Sequence, residues 1–522
     1  MYSRFAWAMG VLAAIFLLVF LAYPLAVILA RSFTDLELLI EVAQNPYYRE
    51  RLAFTTYQAL LSTVLTVALG LPSALLFSRY EFFGKRLIRS AFTVPFVMPT
   101  VVAAIGFLAL LGPRGALNLD LRGTLAVILL AHVFYNYAIV VRIVGAYLET
   151  VGPRLQEAAA MLGASPWRTL FRVTLPIAWP AILAAATLVF IFCFTSFGVI
   201  LILAPDPGFA TLEVAIYRLT TRLLQLDAAA VLVVTQLVVV TLFTLGYTRL
   251  QARLAVPLAP APRPLPRPKG GARILLAFNL VVAALLILSP LLALVMQSIW
   301  VGGPGLQNFE RLAEPVRAIG FAGAGMAIAN SLRFALASTL LSLVIGFAFA
   351  YAVVRGGWRW LDHLSLLPLA TSAVTLGFGY LIAFPEIAFS RWGLAFAHSL
   401  IAFPFVARSV LPALRSLPPN VLRAALVLGA SPLRVLARVE LPLLVPSLVV
   451  AASFAFAISM GEFGAALVLT RPENATIPVA IFDRLSRPGI ANYGSALALA
   501  VILMVITAAV MMLLERFGRS EL

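Results

Sequence analysis

The sequence predicts an all-α polytopic membrane protein, with about twelve transmembrane helices arranged as two parallel halves of six. Three observations predict it. Apolar stretches of about 20 residues recur along the whole chain, each long enough to cross a bilayer as a helix. Of the 522 residues 62% are hydrophobic and only 11% charged, at a mean hydropathy of +1.02, whereas a soluble domain is about one-quarter charged. Finally, EAAAMLGASPWRTLFRVTLP at 157–176 returns as RAALVLGASPLRVLARVELP at 423–442, identical at 13 of 20 positions and 266 residues further on. A transmembrane β-barrel is excluded, because it would show short alternating segments rather than solid apolar runs.

The elements follow in order. The first apolar run, Phe5 to Ala30, is too long for a signal-peptide core and has no small-residue cleavage site, so it is read as a span. The first half then has spans at 6–30, 54–77, 88–111, 124–147, 181–204 and 228–248. The stretch VPLAPAPRPLPRPKGG, 256–271, is rich in proline and basic residues, and such a segment runs extended and semi-rigid. It divides a first half, 1–255, from a second, 273–522, through a cytoplasmic linker at 256–272. The second half has spans at 273–298, 328–353, 361–383, 393–412, 443–469 and 494–514. With the N-terminus inside, basic residues outnumber acidic ones by roughly three to one on the cytoplasmic side and balance them outside, as the positive-inside rule requires. Both termini and both copies of the repeated segment are then cytoplasmic. The net charge of +17 is explained by this orientation and needs no nucleic-acid partner.

The repeat is wider than the quoted segment. AHVFYNYAIVVRIV at 131–144 lies over AHSLIAFPFVARSV at 397–410, pairing His132 with His398 and Arg142 with Arg408. TSFGVIL at 195–201 lies over GEFGAAL at 461–467, and ATLEVAIYRL at 210–219 over ATIPVAIFDR at 475–484. An even number of spans per half keeps the repeats parallel, related by an axis along the membrane normal. A pathway between the halves is expected.

Each copy of the segment spells a helix–turn–helix. Helix formers run from Arg154 to Leu162; Gly163 suits the left-handed residue that ends a helix; Ser165 is an N-cap and Pro166 a first helical residue. The second copy repeats these devices at Gly429, Ser431 and Pro432. Two matched cytoplasmic elbows suit a partner that is itself two identical subunits.

The pattern of Glu-Ala-Ala, then Gly, then Leu-Pro 12 to 13 residues later resembles the EAA loop of ABC importer permeases, and both halves carry it. Two fused halves of this size resemble the ferric-iron and thiamine importer permeases. The resemblance implies two type I permease domains forming a translocation pathway, with EAA loops at about 149–178 and 415–444. It implies that these loops couple to two copies of a separate ABC ATPase, which hydrolyses the ATP, and that an extracytoplasmic binding protein delivers the substrate. Glu157, Ala158, Ala159 and Gly163 would belong to the first coupling helix, and Arg423, Ala424, Ala425 and Gly429 to the second. Arg423 departs from the pattern, standing where the acidic residue would be. The implied location is the bacterial plasma (inner) membrane. The implied substrate is thiamine or ferric iron; another small solute or oxyanion is the alternative.

Other chemistries are not written in the chain. A Walker A loop needs G-x-x-x-x-G-K-[S/T], and neither lysine, Lys85 in FGKRL or Lys269 in RPKGG, fits. No nucleophile–base pair or metal-ligand spacing occurs, so the chain is expected to be a transport subunit, not an enzyme, with no cofactor or metal of its own. Glu462 is the one acid placed within a span, and a charge there costs about 2.5–3.5 kcal/mol. Two readings are open for it: a group facing the pathway, or a carboxylate hydrogen-bonded to a neighbouring helix. Its counterpart, Ser196, makes any pathway role one-sided. His132 and His398 are read as interhelical hydrogen-bonders, and Arg142 and Arg408 as snorkelling cations or inner-gate groups. Pro95, Pro99, Pro368, Gly106, Gly377 and Gly379 mark kinks or close helix contacts. A secondary transporter driven by an ion gradient would need more buried ionisable groups, and would leave the two elbows unexplained.

Overall fold

Inside a bilayer every backbone polar group must be satisfied by the chain itself, and helices do this segment by segment. The computed structural model of the protein describes residues 2–519 except 93, 153, 255–264, 315–322, 359, 362–367 and 369–370; it is helical, with no strand among the described residues. Among the described residues ten helices are long and apolar enough to cross a membrane: spans 1 (Phe5–Ser32), 2 (Pro46–Arg79), 4 (Leu125–Val151), 5 (Pro166–Phe194), 6 (Leu226–Leu250), 7 (Gly271–Trp300), 8 (Ala324–Arg355), 10 (Arg391–Ser416), 11 (Pro432–Gly461) and 12 (Ile490–Leu513). Two shorter apolar helices, Thr100–Leu111 and Ala373–Ala383, stand where spans 3 and 9 were expected. The linker falls largely on 255–264, and the start of the ninth expected span, with His363, on 362–367; these lie outside the described residues.

Four expected spans are not continuous helices. Span 3 is built from Lys85–Ala91, Val94–Val97 and Thr100–Leu111, with Pro99 at the start of the last piece. Proline at 95 and 99 removes backbone donors and interrupts the ladder. The described helix of span 9 begins at Ala373, capped by Ser372, whose hydroxyl accepts the Thr375 N–H at 3.0 Å. Expected spans 181–204 and 443–469 end early, at Phe194 and Gly461, and short helices Gly198–Leu203 and Gly464–Leu469 follow after a break. At their cytoplasmic ends both start earlier than expected, because the second helix of each elbow runs straight into the span through a π-helical turn, Leu170–Thr174 in one and Leu436–Glu440 in the other.

The halves exchange their first spans. Span 1 packs against spans 8 and 9 of the second half, and span 7 against spans 2 and 3 of the first. Ala6, Ala13, Leu17 and Leu21 share one buried cluster with Phe349, Tyr351 and Phe403. In the other exchange, Ala283 and Ile287 join Phe77, Tyr137 and Val141. The glycines singled out in the sequence make close helix contacts. A Cβ on Gly106 would sit 2.8 Å from the Pro290 carbonyl oxygen, and one on Gly379 would sit 3.1 Å from Pro24 Cβ. Pro24 and Pro290 are themselves repeat-related, so one helix-on-helix contact is made twice. Asn279 of span 7 also hydrogen-bonds Ser73 within the apolar layer.

With this exchange the linker is not what holds the halves together. Expressed as separate pieces, 1–255 and 273–522, the halves are expected to co-purify from detergent. Recovery of each piece alone would mean that the exchanged spans do not carry the association.

Candidate functional site

The cytoplasmic elbows are built alike to the level of single hydrogen bonds. In the first, helix Arg154–Met161 ends at Gly163, with φ of 77°; in the second, helix Pro419–Val427 ends at Gly429, with φ of 78°. The Ala159 carbonyl accepts from Ala164 N–H at 3.0 Å, and that of Ala425 from Ala430 N–H at 3.0 Å, closing the helix ends. Ser165 accepts from Arg168 N–H at 3.3 Å and Ser431 from Arg434 N–H at 3.4 Å, starting the second helices. Ala159 and Ala425 are half-buried, whereas Glu157, Ala158, Arg423 and Ala424 are exposed. Each elbow therefore presents its small-residue face, with opposite charges at Glu157 and Arg423. The tips are apolar: Met161 and Leu162 are 89% and 88% exposed, and Val427 and Leu428 86% each.

The elbows differ at their attachment to the membrane domain. Glu440, fully buried, accepts from Arg355 Nε at 3.0 Å, tying the second elbow to the inner end of span 8. The repeat-related position in the first elbow is Thr174, which is also buried but uncharged.

Between the halves lies a cavity of about 340 Å³ lined from both sides, toward the lower end of the roughly 300–1,000 Å³ typical of small-molecule sites. Ser196 and Glu462 both line it, at the breaks that follow spans 5 and 11. Each meets the histidine of its own half. His132 Nε2 is 2.9 Å from Ser196 Oγ, with Nδ1 2.8 Å from Ser62 Oγ. His398 Nε2 is 3.2 Å from Glu462 Oε2, with Nδ1 2.8 Å from Ser459 Oγ. Ser338 donates to Ser459 at 2.7 Å, which leaves the Ser459 proton for His398 Nδ1. The two histidines thus join three spans in each half. Both Glu462 oxygens are also engaged locally, accepting from Ala465 N–H at 3.0 Å and Ala466 N–H at 2.9 Å, so the carboxylate caps the short helix behind it. Of the two readings, the hydrogen-bonded one describes its contacts, while the cavity lies on its open side. Arg142 and Arg408 are exposed and line no part of the cavity. Phe197 and Phe463 stack across the halves, centroids 5.6 Å apart, in the cavity wall.

A second acid lines the cavity, and sequence reasoning put it outside. Glu213 sits in the short helix Leu212–Arg218 and is fully buried. That helix is pulled inward by span 2: Thr55 Oγ1 accepts the Leu212 N–H at 2.9 Å, and Arg51 donates to the carbonyls of Pro207 and Gly208 at 2.5 and 2.9 Å. In the second half Ser331 and Asn330 do the same work for helix Ile477–Leu485. The available signal was an acid in the otherwise apolar stretch Leu212–Tyr217, which belongs to the repeat. Among the described residues no group of three His, Cys, Asp or Glu could hold a metal ion.

Comparison with known proteins decides the family. The model of the binding-protein-dependent transport system inner membrane component matches the chain twice, over residues 66–256 and 273–520. The chain belongs to that family. This family member is 28% identical over 474 residues to the thiamine transport system permease protein ThiP of Escherichia coli (strain K12), covering 85% of each chain. It is 28% identical over 497 residues to the protein of the same name from Brucella abortus (strain 2308), covering 90% of this chain and 87% of that one. The probable sulfate transport system permease protein cysT of Nephroselmis olivacea is 30% identical over 248 residues, 46% of this chain and 86% of that one. A bacterial ABC transporter involved in the import of the acidic polysaccharide alginate aligns at a TM-score of 0.41 and 18% identity, covering 48% of this chain and 96% of that one. The inner membrane component described here is a multi-pass, all-α ABC importer permease, made of two family domains in one chain.

Proposed function

We propose that this permease imports thiamine across the bacterial plasma membrane. The observation that carries the substrate is similarity to thiamine permeases over nearly the full length of both proteins. Two copies of an ABC ATPase dock on the elbows, each taking the apolar tip and the small-residue face around Glu157–Gly163 or Arg423–Gly429. They hydrolyse the ATP; the permease holds no cofactor of its own. Both termini are cytoplasmic, as the charge distribution supports. ATPase closure draws the elbows together and opens the halves outward. A binding protein delivers substrate to the exposed ends of the outer segments 205–227 and 470–493, whose middles are buried, and the cavity between the halves is the route inward. Glu157 and Arg423 give the two docking sites unlike charge, so the ATPase copies meet unlike surfaces.

The test is uptake of labelled thiamine and of labelled ferric iron in cells lacking this chain and in cells with it restored, their own ATPase and binding protein intact. Loss and rescue of thiamine uptake alone is the expected result. Rescue of iron uptake alone would transfer the assignment to iron. Unchanged uptake of both would remove both substrates.

A further inference from the structure

Glu213 has a carboxylate that the fold does not use up. Gln236 of span 6 donates to Oε1, and the Ser372 side chain of the second half approaches the group. Oε2 is buried and makes no hydrogen bond of normal geometry within the protein. Glu462, in the same cavity, has each carboxylate oxygen accepting a backbone N–H, with His398 Nε2 3.2 Å from Oε2. The repeat provides an internal control. In the matching helix of the second half Pro478 occupies this position, and that helix folds with the same start and the same anchoring hydroxyl. A carboxylate is therefore not needed to build the helix.

The rest of the lining fits the same ligand chemistry. Among the described residues no lysine or arginine contributes to the cavity wall, and Tyr135, Phe192, Phe197, Phe405 and Phe463 do. An acid with an open oxygen, in a wall of aromatic rings, suits a flat organic cation, which both the charge and the ring faces attract. Burying the charge unpaired is costly, and a passing cation offsets that cost.

We propose that Glu213 is the anionic contact for the cationic ring of the substrate as it passes between the halves. This rests on the thiamine reading above, in which the thiazolium ring carries a permanent positive charge. The helix bearing Glu213 packs against Ala373–Ala383 of the other half, so rearrangement of the halves also moves the contact.

The experiment compares uptake of labelled thiamine with uptake of its thiophene analogue, which has the same shape and no ring charge. It uses cells with their own ATPase and binding protein, carrying the unaltered chain, Glu213→Gln or Glu213→Asp. Any preference of the binding protein is common to all three and drops out of the ratio of the two uptakes. Glu213→Gln is expected to lower thiamine uptake by about tenfold, with much less effect on the neutral analogue. Glu213→Asp, which keeps the charge, is expected to retain most of the preference. Equal loss of both ligands in the Gln variant would make Glu213 a structural residue and overturn the proposal, as would an unchanged ratio. Absence of thiamine uptake by the unaltered chain would instead remove the substrate reading, and this proposal with it.

Discussion

Gly163→Val combined with Gly429→Val is expected to abolish uptake while leaving the amount of chain in the membrane unchanged. Both glycines hold a positive φ, 77° and 78°, and a Cβ at either would meet nothing within 4 Å. Crowding is therefore not the issue. The penalty is conformational: a left-handed backbone costs an L-residue roughly 1–2 kcal/mol, and a β-branched side chain suits it least. A penalty of that size changes the occupancy of the turn by a factor of roughly 5–30 at each elbow. The turn sets the angle between the exposed first helix and the helix that continues into span 5 or span 11. With the ATPase docked as proposed, transport would need that angle, because the second helix of each elbow runs straight into span 5 or span 11. Gly163→Asn with Gly429→Asn is the control, since asparagine tolerates the left-handed region. It is expected to keep most uptake. Undiminished uptake in the valine pair would separate the elbow angle from coupling. Loss in the asparagine pair as well would assign the effect to bulk at the docking surface.

Glu440→Ala is expected to destabilise the permease by about 3–5 kcal/mol, because it strands the largely buried Arg355 guanidinium. Less chain in the membrane and a lower Tm in detergent are the readouts. Arg355→Met with Glu440→Leu, which removes both charges, is expected to recover most of the loss, since buried pairs are often replaceable by packed apolar residues. A Tm unchanged in Glu440→Ala would show that the pair holds nothing. Thr174→Ala, at the related position in the first half, is expected to change the Tm far less.

These two sites show which parts of the molecule were legible in the sequence. Gly163, Ser165 and Pro166 act within a few residues of themselves, so the elbow could be read locally, down to the positive φ. The spans were legible because a bilayer demands about 20 apolar residues per crossing. Gly106 and Gly379 were legible as close contacts, but not which helix each would touch. Pairing with Pro290 and Pro24 is decided by the exchange of spans 1 and 7, a tertiary choice that leaves no periodic trace. Glu213 was misplaced for the same reason. Its neighbours in the chain mark a segment between two spans, and only Thr55 and Arg51, more than 150 residues earlier, draw that segment inward to the cavity. The breaks after Phe194 and Gly461 lay within apolar runs, so hydropathy passed over them.

The exchange also orders events in time. Span 1 ends at Ser32, yet the surface that covers Ala6, Ala13, Leu17 and Leu21 belongs to helices completed only at Arg355 and beyond. At a synthesis rate of about 5–20 residues per second, that surface arrives roughly 15 to 65 seconds later. Throughout that interval the second half is not there to cover this face. Span 7 has no such delay, because spans 2 and 3 are already in the bilayer when it emerges. Two halves that are alike in space are thus unlike in their biogenesis: the first stays open until span 8 of the second has been made.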